Sequence, residues 1–376
     1  MKFATFYYPG YYSCPVRNLA AGKSIDEWDL LRAEPTSVFV KTEPVRPALG
    51  YTDCSSPSAL SQEASIAKSH GIDAFIFNYY FDGEREELAA PINAFADLET
   101  ELGFALNICC HMPKRKLPFG VNDTIIAPFT HLTEQEFGDM ADNLALRFLR
   151  HDRYMRQDGR VVLTIYHVNA LIFLYGPKGL CGRLEILRKT LRKHGLEAYL
   201  IGLYSIAGGW GRRTLGIDEL PFDSFSCYVA LPDFECREPV QDYLCVAERS
   251  LRAMQVRTSC GKPVVVCVGA GWNATPRGAP NYDPKIHGLS FPYYPVVIGD
   301  EPAAFEQYLQ HAYQTALSDT SFVQDLLFLG PWNEWTEGCY LLPDTRHGLA
   351  KLEAVRRVKL KVRKGQPEEG WNLGPH

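Results

Sequence analysis

The chain has 376 residues, 46% hydrophobic and 22% charged, which suits a large buried core and excludes the disordered class. A net charge of −5 gives no reason to expect nucleic acid or another polyanion as partner. Eleven scattered cysteines, an odd number with no CxxC pair, argue against a disulfide scaffold and a structural zinc site.

The start, "MKFATFYYPG", enters an apolar run without a cleavable signal pattern, so a soluble cytoplasmic protein is expected unless a leader was removed. A strand is predicted over 3–8, followed by a long Pro-, Gly-, Tyr- and Trp-containing loop from Pro9 to Pro57. A helix over Ser58–His70 leads to a strand at 75–80, and a helix over Leu88–Leu102 to a strand at 104–110. Cys109, Cys110 and His111 look metal-like, but neighbours on a strand point to opposite faces and cannot easily share one ion. They read as core thiols followed by a site histidine.

Phe137, Met140, Ala141, Leu144 and Phe148 have helical spacing. The longest uncharged stretch, Val161 to Pro177, contains Thr164, His167 and Asn169 and reads as a strand (161–168) and a turn, not a membrane span. A helix over Leu180–His194 and a strand over 198–204 follow. Only Arg212–Leu220 is available as a helix before the next strand, 222–229. Val240, Tyr243, Leu244, Ala247 and Leu251 mark a helix, 264–269 a strand, and Ala270–Asp300 a second long loop. Phe305, Tyr308, Leu309, Ala312 and Ala316 mark another helix, 326–330 the eighth strand, and Leu349–Val362 the last helix. The basic run Arg356–Lys364 reads as the solvated end of that helix, where cations suit the dipole, rather than a membrane patch.

Eight near-continuously apolar strands alternating with helices predict an α/β protein, a single (β/α)8 TIM barrel with long βα-loops over 1–364, with a tail at 365–376. A doubly wound sheet is the alternative; the count of eight, without a linker or repeat, favours the barrel.

Chemistry in such a barrel sits where strands end. These positions carry Tyr8, Asn78, Tyr79, Tyr80, His111, Tyr166, Tyr204, Trp272, Asn273, Trp332, Asn333 and Trp335, which we expect as substrate contacts. Aromatic faces pack on sugar C–H groups, while Tyr, His and Asn exchange hydrogen bonds with hydroxyls, so a carbohydrate is the expected partner. No arginine cluster gathers at these ends, which disfavours phosphates. Glu334 and Glu337 supply reactivity: glycosidic cleavage needs one carboxyl to protonate the leaving oxygen and one ionised carboxylate. Three residues apart on a coiled loop, two like charges beside indoles would push one pKa upward. The competing reading is a helix N-terminus decorated with glutamates. "GAGWNA" (Gly269 to Ala274) fits a loose dinucleotide fingerprint, but Pro276 and Pro280 block the helix it needs. Ser205 follows a strand without a nucleophile elbow. No cofactor and no metal are expected.

"WNEWTEG…LLPD" (from Trp332) resembles the "WNEWxEGxxLxPD" signature of the WbsX-like proteins, which are similar to glycoside hydrolase family 99. "GWNATPRG" (Gly271 to Gly278), "FYYPGYY", "AKSHGIDAFIFNYYFDG" (Ala67 to Gly83) and "RYMRQDGRVVLTIYH" (Arg153 to His167) also fit, in the right order. The resemblance implies a (β/α)8 barrel and a retaining glycosidase on oligo- or polysaccharide. It implies Glu337 as general acid/base and Glu334 as base on the substrate 2-hydroxyl, giving a 1,2-anhydro sugar, or as nucleophile. It gives Asn333 the task of orienting substrate hydroxyls. The chain departs from the pattern at "CCHMPK", where "WAN" is frequent, and at Asn273-Ala274, where Asp-Asn is usual, so the sugar could differ from mannose. A glycosyltransferase-like polysaccharide-biosynthesis protein and a non-catalytic glycan-binding barrel are the alternatives. The first lacks a convincing Gly-rich loop and a DxD pair.

Overall fold

The computed structural model describes residues 1–363, except 16–17, 19–23, 25, 34–35, 42–44, 111–130, 205–218, 230–231, 235, 259–260 and 279–281. Eight parallel strands close into a barrel: β1 (Lys2–Tyr7), β2 (Ala74–Phe81), β3 (Gly103–Cys109), β4 (Arg160–Ile165), β5 (Ala198–Leu203), β6 (Ser224–Ser226), β7 (Val264–Val268) and β8 (Phe322–Leu329). β1 pairs with β8 (Thr5 opposite Leu329) and with β2 (Thr5 opposite Phe75), which closes the ring. The expected (β/α)8 barrel is the observed fold.

Around it run α1 (Pro57–Ser69), α2 (Ala90–Ala96), α3 (Glu134–Leu144), α4 (Val168–Lys193), α5 (Tyr243–Thr258), α6 (Pro302–Ser318) and α7 (Ala350–Arg363). Proline in the first turn starts α1, α2 and α6, where its missing N–H costs nothing. Thr133 and Glu136 form a reciprocal capping box at the start of α3.

Among the expectations that shift are the start of the eighth strand and the stretch after the fourth. The eighth strand begins at Phe322, not Leu326, because Gln324 and Asp325 are exposed at the barrel's lower end and interrupt the apolar run. The stretch after β4 is not a turn: β4 ends at Ile165, and His167, with φ 58, caps a helix that begins at Val168. That helix kinks at Gly176 (φ 69), before Pro177, and continues to Lys193, so the uncharged run is half strand and half helix. The weak segment Arg212–Leu220 lies almost wholly outside the described residues, as do His111 and the 365–376 tail. Among the described residues no helix is long and apolar enough to cross a membrane.

Alternation along the strands sorts the core. Phe75 and Phe77 face the helix layer and pack against Phe95 of α2 (5.7 and 5.1 Å between centroids). Phe6 points inward to Phe328 (5.3 Å) and Tyr228 (4.7 Å). Lys351 of α7, almost fully buried, donates to the Ala270 carbonyl (2.6 Å) and Asp300 (2.9 Å), clamping both ends of the 270–300 loop.

One carboxyl is buried in the helix layer. Glu63 of α1 accepts the Trp332 indole N–H (3.0 Å), and burial pushes its pKa from 4.5 up to about 7 against that hydrogen bond. Between about pH 4.5 and 7 the folded state therefore holds a proton that the unfolded chain has released, and stability falls as pH rises through that window. Glu63→Gln keeps an acceptor for the indole and does not titrate. Urea unfolding is expected to find it close to wild type at pH 5 and more stable at pH 8, by up to about 3 kcal/mol. An equal difference at both pH values would contradict a buried, titrating Glu63.

Candidate active site

The chain leaving β8 forms a tight hairpin: Asn333–Glu334 pairs antiparallel with Cys339–Tyr340, and Trp335–Glu337 makes a 3-10 turn between them. Side chains three apart nearly eclipse in such a turn, so Glu334 and Glu337 project to one side. This is not a helix N-terminus. Gly338 closes the turn at φ 62, and a Cβ there would lie 2.6 Å from the Asn273 backbone nitrogen, so only glycine fits. The Asn273 N–H donates to the Glu337 carbonyl (2.7 Å), joining the hairpin to the loop after β7.

Arg277, on that loop, stands between the two carboxylates. Its Nη1 donates to Glu337 Oε1 at 2.6 Å and its Nη2 to Glu334 Oε1 at 3.2 Å. Nη2 also reaches Glu27 Oε2 (3.3 Å), and Nε donates to Thr336 Oγ1 (3.0 Å). Thr336 in turn donates to Glu27 Oε2 (2.6 Å), and the Tyr8 hydroxyl donates to Glu27 Oε1. Glu27 is thus a buried carboxylate whose two oxygens both accept hydrogen bonds, one of them from the guanidinium. Three carboxylates share one cation. Burial pushes both Glu334 and Glu337 up, Glu334 to about 8 with the Glu337 charge adding to it, while Arg277 pulls each down. Both carboxyls are thereby held above the ordinary carboxylate range.

The remaining predicted residues divide. Asn78 and Tyr80 point into the barrel: Asn78 Nδ2 donates to Tyr228 Oη (2.9 Å) and lies 3.5 Å from Tyr80 Oη. Tyr228 donates to Glu334 Oε2 (2.9 Å), and Tyr166 stands edge-on to it (5.3 Å). Burial, then the charges of Glu337 and Glu334, push the Tyr166 phenol up, which places it beside the pair. Tyr204 is buried edge-on to Phe225, and Trp272 edge-on to Phe234. Trp335 stacks on Tyr340 (3.8 Å). The indole N–H groups of Trp272 and Trp335 are buried without a hydrogen-bond partner among the described residues.

Three expected contacts take other places. Tyr79, one residue from Asn78, faces the helix layer and donates to Glu86 (2.6 Å). Trp332 is wholly buried against Phe75 (5.1 Å) and Glu63, because it follows β8 on the outward side. Asn333 spends both ends of its amide on the Tyr8 backbone, donating to its carbonyl (2.8 Å) and accepting from its N–H (2.8 Å). It ties the β1 and β8 exits together and does not present its amide to a ligand. His111 lies outside the described residues.

A family model described as glycosyltransferase WbsX matches residues 3–355. The chain belongs to the WbsX family. Curated WbsX-like relatives include the uncharacterized protein WxcX of two Xanthomonas campestris pv. campestris strains, each 25% identical over 369 and 374 residues. Each match covers 94% of this chain and 49% of the relative, so the chain spans about half the length of those proteins. Among solved structures it is similar to a family 99 endo-α-mannosidase of Bacteroides thetaiotaomicron (TM-score 0.57, 14% identity, 96% of this chain and 97% of that one). It is also similar to a glycoside hydrolase-like protein (TM-score 0.61, 13% identity, 95% and 93%). At these identities the likeness shows a shared (β/α)8 barrel fold.

In this WbsX-family chain, Glu27, Arg277 and Thr336 join the two glutamates, and these three were not singled out in the sequence. Glu27 sits in a loop with no periodicity, so nothing local marks it. Arg277 had a signal: buried acids demand a cation, and it falls inside the quoted "GWNATPRG" motif. Among the described residues no group of three His, Cys, Asp or Glu side chains could hold a metal ion. The charge at the centre of the site is the guanidinium.

Proposed function

We propose that the chain is a glycoside hydrolase acting on an oligo- or polysaccharide, with Glu337 as general acid/base and Glu334 as its basic partner. The observation that carries this reading is the pair itself. Two carboxyls three residues apart on one hairpin share one guanidinium, with the Tyr8, Tyr166 and Tyr228 rings beside them. One carboxyl to donate and one to accept is what glycosidic cleavage requires. Phenol faces and hydroxyls suit a pyranose ring.

In the first step Glu337 gives its proton to the departing glycosidic oxygen as the C1–O bond breaks. Glu334 takes the proton of the sugar 2-hydroxyl, whose oxygen closes on C1, or attacks C1 itself. Water then attacks C1 and gives its proton to Glu337, while Glu334 returns its proton to the 2-oxygen as the anhydro ring opens, or leaves C1 as a free carboxylate on the covalent route. The 2-hydroxyl route comes from the family resemblance; the pair's geometry supports either route. In the free site burial of Glu334 and the shorter Arg277–Glu337 contact favour the proton on Glu334, and the Tyr228 hydrogen bond opposes this, so the proposed roles require the proton to move to Glu337 when substrate binds.

The family's description favours a second reading, sugar transfer from a nucleotide-sugar. A diphosphate needs a cation, and Arg277 is already committed to three carboxylates, which would repel one. Glu337→Gln is expected to lose about 10²–10⁴ in kcat/KM on sugars with poor leaving groups and much less on activated aryl glycosides, which depart without a proton. Intact activity on both would end the assignment.

A further inference from the structure

We propose that Thr164, Asn107, Asn78 and Tyr228 form a positioning relay that holds the Tyr228 hydroxyl as a donor on Glu334 and keeps Glu334 the proton acceptor of the pair. The catalytic meaning of this relay rests on the glycosidase reading above; its existence does not.

The relay begins in strand register. Asn78 of β2 lies opposite Asn107 of β3, and Asn107 opposite Thr164 of β4, so three polar side chains occupy one interior layer of adjacent strands. Barrel interiors are ordinarily filled by bulky branched residues in such layers. Asn107 and Thr164 are wholly buried and Asn78 nearly so, and a buried amide is costly unless every group is bonded. Here they bond to one another: Thr164 Oγ1 donates to Asn107 Oδ1 (2.8 Å), and Asn107 Nδ2 to Asn78 Oδ1 (2.8 Å). Asn78 Nδ2 donates to Tyr228 Oη (2.9 Å), and Tyr228 to Glu334 Oε2 (2.9 Å).

The direction of this chain is fixed by its last member. An ionised carboxylate only accepts, so Tyr228 must donate to it and can offer Asn78 only a lone pair. Asn78 must then turn its NH2 toward Tyr228 and its carbonyl toward Asn107, and Asn107 must do the same toward Thr164. Every donor points at Glu334. A proton on Oε2 of Glu334 would oppose that order at Tyr228, and one on Oε1 would leave Oε2 a weaker acceptor for the Tyr228 hydroxyl. Each bond polarises the next, so the interior layer favours negative charge on Glu334. Glu334 also faces Glu337, Arg277 and Glu27, and the Tyr166, Cys109 and Cys339 side chains lie within electrostatic reach of it. None of these is altered in the variants below.

The test follows the carboxyl directly, by 13C NMR titration of protein labelled at glutamate Cδ, with the Glu334 resonance assigned by its loss in Glu334→Gln. Tyr228→Phe is expected to raise the Glu334 titration by about one unit or more, as losing a hydrogen bond to a charged group does. Asn107→Leu, which touches neither Glu334 nor Tyr228, is expected to raise it by a smaller amount. The Tyr228→Phe/Asn107→Leu double variant should shift no further than Tyr228→Phe alone, because both act through one hydroxyl. If Asn107→Leu does not fold, Thr164→Val tests the chain from its far end and should shift Glu334 in the same direction. A Glu334 titration unmoved by both Asn107→Leu and Thr164→Val, or shifts that add, would overturn the relay and leave the layer a satisfied piece of core. The acidic limb of the kcat/KM pH profile should move with the titration. A wild-type protein that turns over no glycan would overturn the glycosidase reading while the titration still decides the relay.

Discussion

Arg277→Met is expected to be the most damaging single substitution outside Glu334 and Glu337. It leaves Glu27, Glu334 and Glu337, all buried, without a cation. Breaking a buried ion pair by removing one partner costs about 3–5 kcal/mol. The cost should depend on pH in a definite direction. Without the guanidinium, which pulls Glu334 and Glu337 down, their folded-state pKa values rise further above the ordinary carboxylate range. The folded variant then holds more protons than its unfolded chain above about pH 4.5, and its stability falls as pH rises. Urea unfolding should therefore show a larger deficit against wild type at pH 8 than at pH 5. Glycan turnover should be lost at both, since the methionine neither anchors the turn nor sets the proton on the pair. A deficit that is the same at both pH values, or that grows toward pH 5, would contradict a site in which one cation holds three carboxylates.

Glu334→Gln is expected to give the largest loss in rate. The amide keeps the shape and can still accept from Tyr228, but it cannot take a proton or attack C1. A basic or nucleophilic partner acts in the bond-breaking step whatever group departs. The loss, about 10³ or more in kcat, should thus be equally severe on poor and on activated leaving groups. This pattern separates it from Glu337→Gln, which activated substrates should rescue. The two profiles, measured on one matched series of aryl glycosides and a natural glycan, assign the roles. If activated substrates rescued Glu334→Gln and not Glu337→Gln, the roles would be exchanged.

The barrel was readable because each of its strands is buried on both faces and so reads as an unbroken apolar run. The reading failed where that rule is broken by position. Gln324 and Asp325 belong to β8 but meet solvent at its lower end, so the strand looked shorter than it is. Val168 to Tyr175 is as apolar as the strand before it, and periodicity cannot separate the two over so short a span. The site was partly legible for a related reason. Sequence places residues at a strand exit, but only the pleat decides which side each one takes. Asn78 and Tyr79 are neighbours, yet one faces Tyr228 and the other Glu86. Trp332 and Glu334 are two apart and would share a face on a regular strand, yet Trp332 precedes the short 333–334 strand and meets Glu63 of α1, while Glu334 meets Arg277. Asn333 has a side chain of the right chemistry for sugar hydroxyls, but one donor and its oxygen are engaged by the nearby Tyr8 backbone. Both long loops matter, as their length implied: one brings Glu27 and the other Arg277. Neither residue lies on a periodic element, so no pattern along the chain predicts that they meet.

The central claim is that the carboxyls of Glu334 and Glu337 act together on one sugar ring. The most direct measurement is 1H NMR of defined glycans incubated with the wild-type chain and with Glu337→Gln, read for the anomeric configuration of the first sugar released. The account predicts hydrolysis by the wild type with the configuration retained, and its loss in the variant. Unchanged release by Glu337→Gln, or sugar transfer from a nucleotide-sugar with no hydrolysis of any glycan, would contradict it.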